Sequence, residues 1–357
     1  MMTTTALIMA GGRGERFWPK SRKSLPKQFL SLTNDGKTMI QLTVERILPL
    51  VHMEDIYIST NEEYRSLVEE QLPEIPAQNI LCEPVGRNTA PCIGLGAVHI
   101  SRKYDDALML VLPSDHLIKQ RALFINTLKE ACTVAESGSN LVTLGITPTA
   151  PETGYGYIKF NGEVMQGNAF CVERFVEKPD LETAKAYMAS EQYLWNSGMF
   201  VWKVSTILDN LKVHMPALYT GLMNIRDSVG TDEESAVVRR EFPNFQSVSI
   251  DYGIMEHANN IYTIPGSFGW DDVGSWLAME RINPVNQFHN VLSGNFVTVN
   301  TKDCILLGDQ KLIATVGVQG LVVVDTEDAL LICDKGSTGD IKKVLEDLRM
   351  CNRTEFV

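Results

Sequence analysis

From residue 5 to about 146 the chain alternates short apolar runs with amphipathic stretches. "TALIMA" (5–10) is an apolar run that ends on Gly11 and Gly12, the pattern of a buried strand feeding a tight loop. Thr38 with Gln41 three residues on forms a capping box, and Ile40, Val44, Leu48 and Val51 then recur at helical spacing. "DIYIST" (55–60) predicts a strand and "EEYRSLVEEQL" (62–72) a helix that Asn61 caps. "NILCEP" (79–84), a helix from about Thr89, "ALMLVLPSD" (107–115), a helix around 123–136 and "NLVTLGI" (140–146) continue the series. Strands alternating with helices of this length predict right-handed crossovers and an α/β fold, a mostly parallel sheet covered on both faces.

After Pro148 the texture changes to strand-like pieces, "GYGYIKF", "AFCVERFVEKP" and "GMFVWKV", interleaved with helices near 181–190 and 205–225, as in an insertion that builds one wall of a cleft. From about 286 the β-branched runs "NFVTVN", "CILLG", "LIATVG", "LVVVD" and "ALLICD" follow one another at near-even spacing, and "GDIKKVLEDLR" (339–349) closes as a helix. The division expected is 1–285 and 286–357. Periodicity alone leaves the second part open between stacked β turns and a plain antiparallel sheet.

Composition narrows the function. In 357 residues, 32 Lys+Arg stand against 44 Asp+Glu, a net charge of −12, which argues against a nucleic-acid surface because such binding neutralises many phosphates. No apolar run reaches the roughly 20 residues of a membrane span, and the start lacks a basic leader region, so no membrane partner and a cytoplasmic location are expected. The seven cysteines are scattered without C-x-x-C spacing, which indicates neither a zinc site nor a disulfide framework.

Against this acidic background, Arg13, Arg16, Lys20, Arg22, Lys23 and Lys27 crowd just beyond the first strand, with Glu15 alone opposing them. Gly11-Gly12-x-Gly14 lets the backbone bend and aim several N–H groups at one point, as in a phosphate nest. The segment matches neither the P-loop nor the dinucleotide fingerprint, and a glycine loop alone is equally a structural turn. Dense cations at a strand end, where open α/β sheets bind ligands, favour a polyanion. Asp115 ends the "VLPSDH" strand, and "GWDDVGSW" offers Asp271 and Asp272; two such carboxylates suit a hard cation that completes its shell with phosphates and water. "EPVGRNTAP" puts Arg87, Asn88 and Thr89 at a helix start, where Thr89 is equally a plain cap. Glu177 and Lys178 lie together in "FVEKPD", either a solvated pair or a carboxylate for hydroxyls beside an ammonium for phosphate; Asn196 sits between aromatics in "WNSGMFVW", where an amide can donate to and accept from a sugar. His116 and His257 have no partners at ligand or triad spacing.

Taken in order, "AGGRGERFWPKSRKSLPKQF", "EPVGRNTAP", "LPSDH", "TGYGYI", "FVEKP", "WNSGMF" and "GWDDVGSW" resemble the mannose-1-phosphate guanylyltransferase (GDP-mannose pyrophosphorylase) family of sugar-nucleotide nucleotidyltransferases, in its short, monofunctional form. The resemblance implies a Rossmann-like, GT-A-like mixed sheet followed by a small module like a left-handed β-helix that serves as a dimer contact in a homodimer. It implies GTP and mannose 1-phosphate as substrates, GDP-mannose and pyrophosphate as products, and Mg²⁺ as cofactor. Ala10, Gly11, Gly12 and Gly14 would cradle the triphosphate, Arg16 and Lys27 balance its charge, and Asn88 face the guanine. Asp115 and Asp272 would hold the metal, with Asp272 preferred to Asp271. Lys178 would grip the sugar phosphate, while Gly154, Glu177 and Asn196 take the mannose. Other readings are the same chemistry on another sugar phosphate or nucleotide, a catalytically silent sugar-nucleotide sensor, and a metal-dependent glycosyltransferase.

Overall fold

The computed structural model describes residues 2–12 and 14–357, without the side chains of 163–166; Arg13 of the basic run lies outside the described residues. Contacts divide the chain into two compact units: residues 1–11, 44–114 and 118–270 form one, and 12–43, 115–117 and 271–357 the other. The stretch that follows the glycine turn thus groups with the C-terminal module.

The first unit begins with β1 (Thr4–Met9). After α1 (Met39–Ile47), which runs across the division, come β2 (Ile56–Asn61), α2 (Arg65–Gln71), β3 (Ile80–Glu83), α3 (Thr89–Lys103) and β4 (Leu108–Pro113). Then follow β5 (Leu117–Ile118), α4 (Arg121–Glu136), β6 (Leu141–Ile146), β7 (Tyr157–Gln166), β8 (Ala169–Val176), α5 (Leu181–Ser190) and β9 (Tyr193–Lys203). Helices α6 (Val204–His214), α7 (Pro216–Ser228) and α8 (Glu234–Glu241) and strand β10 (Ile261–Gly266) complete it. Nine strands form one sheet in the order β3-β2-β1-β4-β9-β6-β10-β8-β7. The alternating N-terminal half is parallel, with Ala6 opposite Ile56 and Leu110, whereas β9 runs antiparallel to both β4 and β6. The sheet is therefore mixed: β9, the strand carrying Asn196, is inserted antiparallel between β4 and β6, and β8 likewise runs antiparallel to β10 and β7. One continuous core beside it joins Leu7, Met109, Val111, Phe200 and Trp202 to Ile93, Ala97, Leu222 and Ile254.

Local differences from the pattern reading have physical causes. The first helix stops at Ile47 because Pro49 disfavours a helical Leu48, which is left 40% exposed. Asn61 caps nothing; it precedes a 3₁₀ turn, and its Nδ2 donates instead to Gly11 O at 3.2 Å. The cap of α3 is Asn88, whose side chain accepts from Thr89 N, while Thr89 Oγ1 accepts from Ile250 N. Pro216 splits the helical run near 205–225 into α6 and α7. Strand β10 and helix α8 had no distinct signal, the strand because Pro265 interrupts it and the helix because it carries few apolar positions.

In the second unit, after β11 (Trp270–Asp271) at the division and the short α9 (Met279–Ile282), come β12 (Val291–Ser293), β13 (Phe296–Val299), β14 (Ile305–Leu307), β15 (Ile313–Val316), β16 (Leu321–Asp325), β17 (Leu330–Asp334) and α10 (Ile341–Met350). Val291 pairs with Ile305 and Ile305 with Val322, both in parallel, while Phe296 pairs in parallel with Ile313. Parallel pairing between strands so close in sequence makes stacked turns of a coil, and only β17 closes antiparallel on β16. A corner is fixed by buried Asn290, which donates to Thr301 O at 2.9 Å and accepts from Cys304 N at 2.9 Å. Beneath the coil, Trp276 meets Phe17 edge to face at 4.9 Å, and its Nε1 donates to Trp18 O at 3.0 Å. Trp18 Nε1 in turn donates to Phe356 O at 2.7 Å, so residues 15–32 are built into the C-terminal core with Leu30, Val291, Ile305 and Leu345.

No helix of the described residues is long and apolar enough to cross a membrane. Trp276→Ala is expected to destabilise the fold by about 3–5 kcal/mol, since it empties a fully buried site, whereas Val297→Ala on the exposed face should change stability by about 0.5 kcal/mol or less. Urea denaturation followed by near-ultraviolet dichroism checks this; equal losses in both variants would show that the Trp276 cluster does not anchor the unit.

Candidate active site

In the second unit Lys27 organises the charged constellation. It enters a 3₁₀ turn after Pro26 and is buried, which a lone ammonium tolerates only with partners. Its Nζ lies 2.9 Å from Asp115 Oδ2 and donates to the backbone oxygen of Asp272 at 2.6 Å, 5.7 Å from the centre of the Phe17 ring. Gly14 closes on the same lysine: at φ +59°, a Cβ added there would fall 2.5 Å from both Lys27 N and Lys27 Cβ. Only glycine fits that left-handed turn against Lys27. Gln28 Nε2 donates to Gly12 O at 2.9 Å and fixes the other side of the loop. Glycine turn, cation and both aspartates are thus one local cluster.

The two aspartates of the Gly-flanked turn differ sharply. Asp271 is buried, and its oxygens are taken by the Arg281 guanidinium and by Val273 N at 2.8 Å, so it holds the turn together. Asp272 is half-buried, and its Oδ2 lies only 2.7 Å from where a Gly274 Cβ would be, so the glycine leaves room for the carboxylate. Between them Val273 takes φ +48°, a strained setting for a β-branched residue of the kind that clusters at functional sites. Asp115 keeps a third of its side chain exposed. Burial opposes its charge, yet Lys27 and His116 beside it hold the carboxyl below the usual carboxylate range. His116, given no chemistry on spacing, therefore bears on this carboxylate. Arg16 is exposed in its 3₁₀ turn, with no ion pair to it among the described residues. No group of three or more His, Cys, Asp or Glu gathers as a complete metal cage among the described residues.

In the first unit the remaining candidates form two groups. At the end of β1, Ala10 N donates to Ser59 O at 2.7 Å and Thr60 Oγ1 donates to Ala10 O, while Asn61 steadies Gly11. Asn61, read in the sequence only as a cap, thereby belongs to this turn, and its buried Oδ1 has no partner among the described residues. Asn88 stands exposed at the start of α3 with φ +67°. The second group surrounds β9. Asn196 N donates to Gly156 O at 2.8 Å, and a Cβ on Gly156 would lie 2.8 Å from Glu177 Oε2 and 3.5 Å from Asn196 Cβ. Glu177 pairs with Lys178 at 3.0 Å, and Lys178 adopts φ +41° with most of its side chain exposed. Tyr155 meets Trp195 and Trp270 edge to face at 5.2 and 5.3 Å, walling the group, while Gly154 lies exposed in the loop with nothing near a would-be Cβ.

The sequence reading passed over Asp251, which accepts from Asn196 Nδ2 at 2.8 Å. Burial raises its carboxyl above the usual range; the Asn196 hydrogen bond opposes this, and Glu177 and Glu256 add to it. Its segment, "SIDYGIME", carries an aspartate in an otherwise helix-like run and forms a π-helical turn over Asp251–Met255, a rare geometry frequent at functional sites. The only sequence signal for it was a polar residue inside an apolar run.

Comparison with known proteins gives the family. Residues 5–287 match the nucleotidyl transferase family, and residues 294–348 match the mannose-phosphate isomerase/GMP-like β-helix domain. A mannose-1-phosphate guanylyltransferase of Salmonella muenchen is 44% identical over 355 residues, 98% of this chain and 74% of that protein. One of Escherichia coli K12 is 42% identical over 358 residues, again 98% of this chain and 74% of that protein. Among solved structures, a Thermus thermophilus protein described as a mannose-1-phosphate geranyltransferase superposes with a TM-score of 0.87 at 35% identity, covering 98% of this chain and 100% of that one. With identity of this order running through both the sheet unit and the coil, the chain belongs to the nucleotidyl transferase family, among the mannose-1-phosphate guanylyltransferases.

Proposed function

We propose that the protein makes GDP-mannose and pyrophosphate from GTP and mannose 1-phosphate by in-line attack of the sugar phosphate on the α-phosphorus. The observation that carries this is Lys27, buried against the Gly14 turn and bonded to Asp115 and to the Asp272 backbone. A sugar 1-phosphate has a second pKa of about 6 and is largely dianionic at neutral pH, so its oxygen attacks without a general base. What remains for the protein is to align the reactants and to neutralise charge on the departing pyrophosphate.

Each residue has a part in this reading. Ala10, Gly11, Gly12 and Gly14 present backbone to the triphosphate, and Lys27 and exposed Arg16 balance its charge. Asn88 borders the base. Glu177, Asn196 and Gly154 receive the mannose, and Lys178, whose ammonium turns from Glu177 to the ligand, holds its phosphate. The donor set at Asp115 and Asp272 is carboxylate oxygen, one carboxyl kept ionised and the other given space by Gly274, which suits Mg²⁺ with phosphate and water completing its shell. Held by these carboxylates, the ion would supply charge neutralisation to the reacting phosphates. On the coil, Val297, Val299, Val316, Leu330 and Ile332 are about half or more exposed, which supports a homodimer through this module. All seven cysteines are free, which supports a reducing, cytoplasmic setting.

Pyrophosphate release measured over GTP, ATP, UTP and dTTP, each with mannose and glucose 1-phosphate, is expected to be highest for GTP with mannose 1-phosphate. A maximum at another pair reassigns the substrates, and binding of GDP-mannose with no turnover identifies a sensor. Lys27→Ala and Arg16→Ala are each expected to lower kcat by about 10²–10³-fold, the scale of losing one preorganised electrostatic donor; unchanged turnover in a folded variant removes that residue from the reaction. Asp115→Asn and Asp272→Asn are expected to abolish Mg²⁺-dependent turnover. Full activity in Asp272→Asn would return the metal role to Asp271.

A further inference from the structure

We infer that Asp251 is a positioning residue for the sugar: it locks the Asn196 side-chain amide into one orientation, so that the pocket meets a hexose with a donor and an acceptor in fixed places. This rests on the proposed function and deepens its sugar half.

An asparagine amide has two donor hydrogens and one oxygen with two lone pairs, and rotation about its last bond exchanges their places. At Asn196 both ends are committed. Nδ2 donates to Asp251 Oδ1 at 2.8 Å, and Oδ1 accepts from Gly198 N at 3.1 Å. A flipped amide would set its oxygen against the Asp251 carboxylate and its NH₂ against the Gly198 N–H, losing both bonds and gaining two repulsions. One hydrogen on Nδ2 and one lone pair on Oδ1 are left over, a pair of opposite polarity suited to neighbouring hydroxyls. The backbone beneath is equally fixed, because Asn196 N donates to Gly156 O at 2.8 Å.

Asp251 is itself held from a third direction. Ile250 N donates to Thr89 Oγ1 at 2.8 Å and Ala90 N to Val248 O at 3.1 Å, so the start of α3 clamps the segment on which Asp251 rides. Asp251 follows this clamp at the first position of the π-helical turn, and Ile250 and Ile254 beside it are fully buried. Glu177, across Gly156, adds a second carboxylate to the same neighbourhood. The group thus holds a single oriented amide beside the Glu177 carboxylate, an arrangement that reads hydroxyl direction rather than ring hydrophobicity.

The test is a double-mutant cycle read on both substrates. Asp251→Ala is expected to raise KM for mannose 1-phosphate about tenfold, the scale of one oriented hydrogen bond, and to leave KM for GTP within about twofold. Asp251→Asn keeps an acceptor for Asn196 and is expected to stay within about threefold of the parent. In an Asn196→Ala background, Asp251→Ala should add nothing further. Equal rises in both KM values, or multiplicative effects in the double variant, overturn the inference. Should Asp251→Ala fail to fold, the exchange Asn196→Asp with Asp251→Asn restores one hydrogen bond with reversed polarity. It should recover thermal stability but not the sugar KM; recovery of both would show that orientation is irrelevant. The same cycle read by calorimetric Kd for mannose 1-phosphate separates the two levels of argument. Parent protein that binds the sugar phosphate with a coupled Asp251–Asn196 cycle but releases no pyrophosphate defeats the proposed reaction alone. An active parent with additive variants defeats the inference alone.

Discussion

The second unit is organised around one buried ammonium. Lys27 draws a carboxylate from the end of the β4 strand and the backbone of a distant Gly-rich turn to the same point, and the Gly14 bend exists in the space left over its main chain. An uncompensated charge at that depth would cost several kcal/mol, so the cluster forms complete or not at all. This explains the density of glycine around it. Gly14 and Gly274 stand where a side chain would strike Lys27 or Asp272, and the strained Val273 is the bend that brings the carboxylate over its glycine.

Much of this was legible in the sequence. The strands that lead into Gly11 and Asp115 and the helix starting at Thr89 are where the periodicity puts them, because local burial patterns decide elements that are short, regular and apolar. Seven ordered motifs gave the family. What the pattern did not hold was polar partnership across long sequence separations. Asn61 reads as a cap but serves Gly11, Asn88 takes the capping that Thr89 advertises, and Asp251 has no motif value until Asn196 is found beside it. A hydrogen bond between residues 55 apart leaves no periodic trace.

The C-terminal runs illustrate a different limit. Their even spacing is compatible with antiparallel or stacked pairing, since the same alternating side chains suit both. Only the register, Val291 to Ile305 to Val322, distinguishes them, and it is fixed by buried polar corners such as Asn290 rather than by the apolar runs themselves. Likewise the sequence divides at 285, whereas the contacts place 12–43 with the coil, because aromatic residues Phe17, Trp18 and Trp276 bind that stretch more tightly than chain proximity does.

Those aromatics have a consequence for biogenesis. The Trp18 indole is satisfied by Phe356, 338 positions downstream, and Glu15 pairs with Arg349 at 2.7 Å. On a ribosome the segment beyond the glycine bend therefore has no finished seat until Arg349 and Phe356 have emerged. Sheet strands made early can associate while translation proceeds, whereas the Lys27 ammonium meets the Asp272 backbone only after those strands have been made.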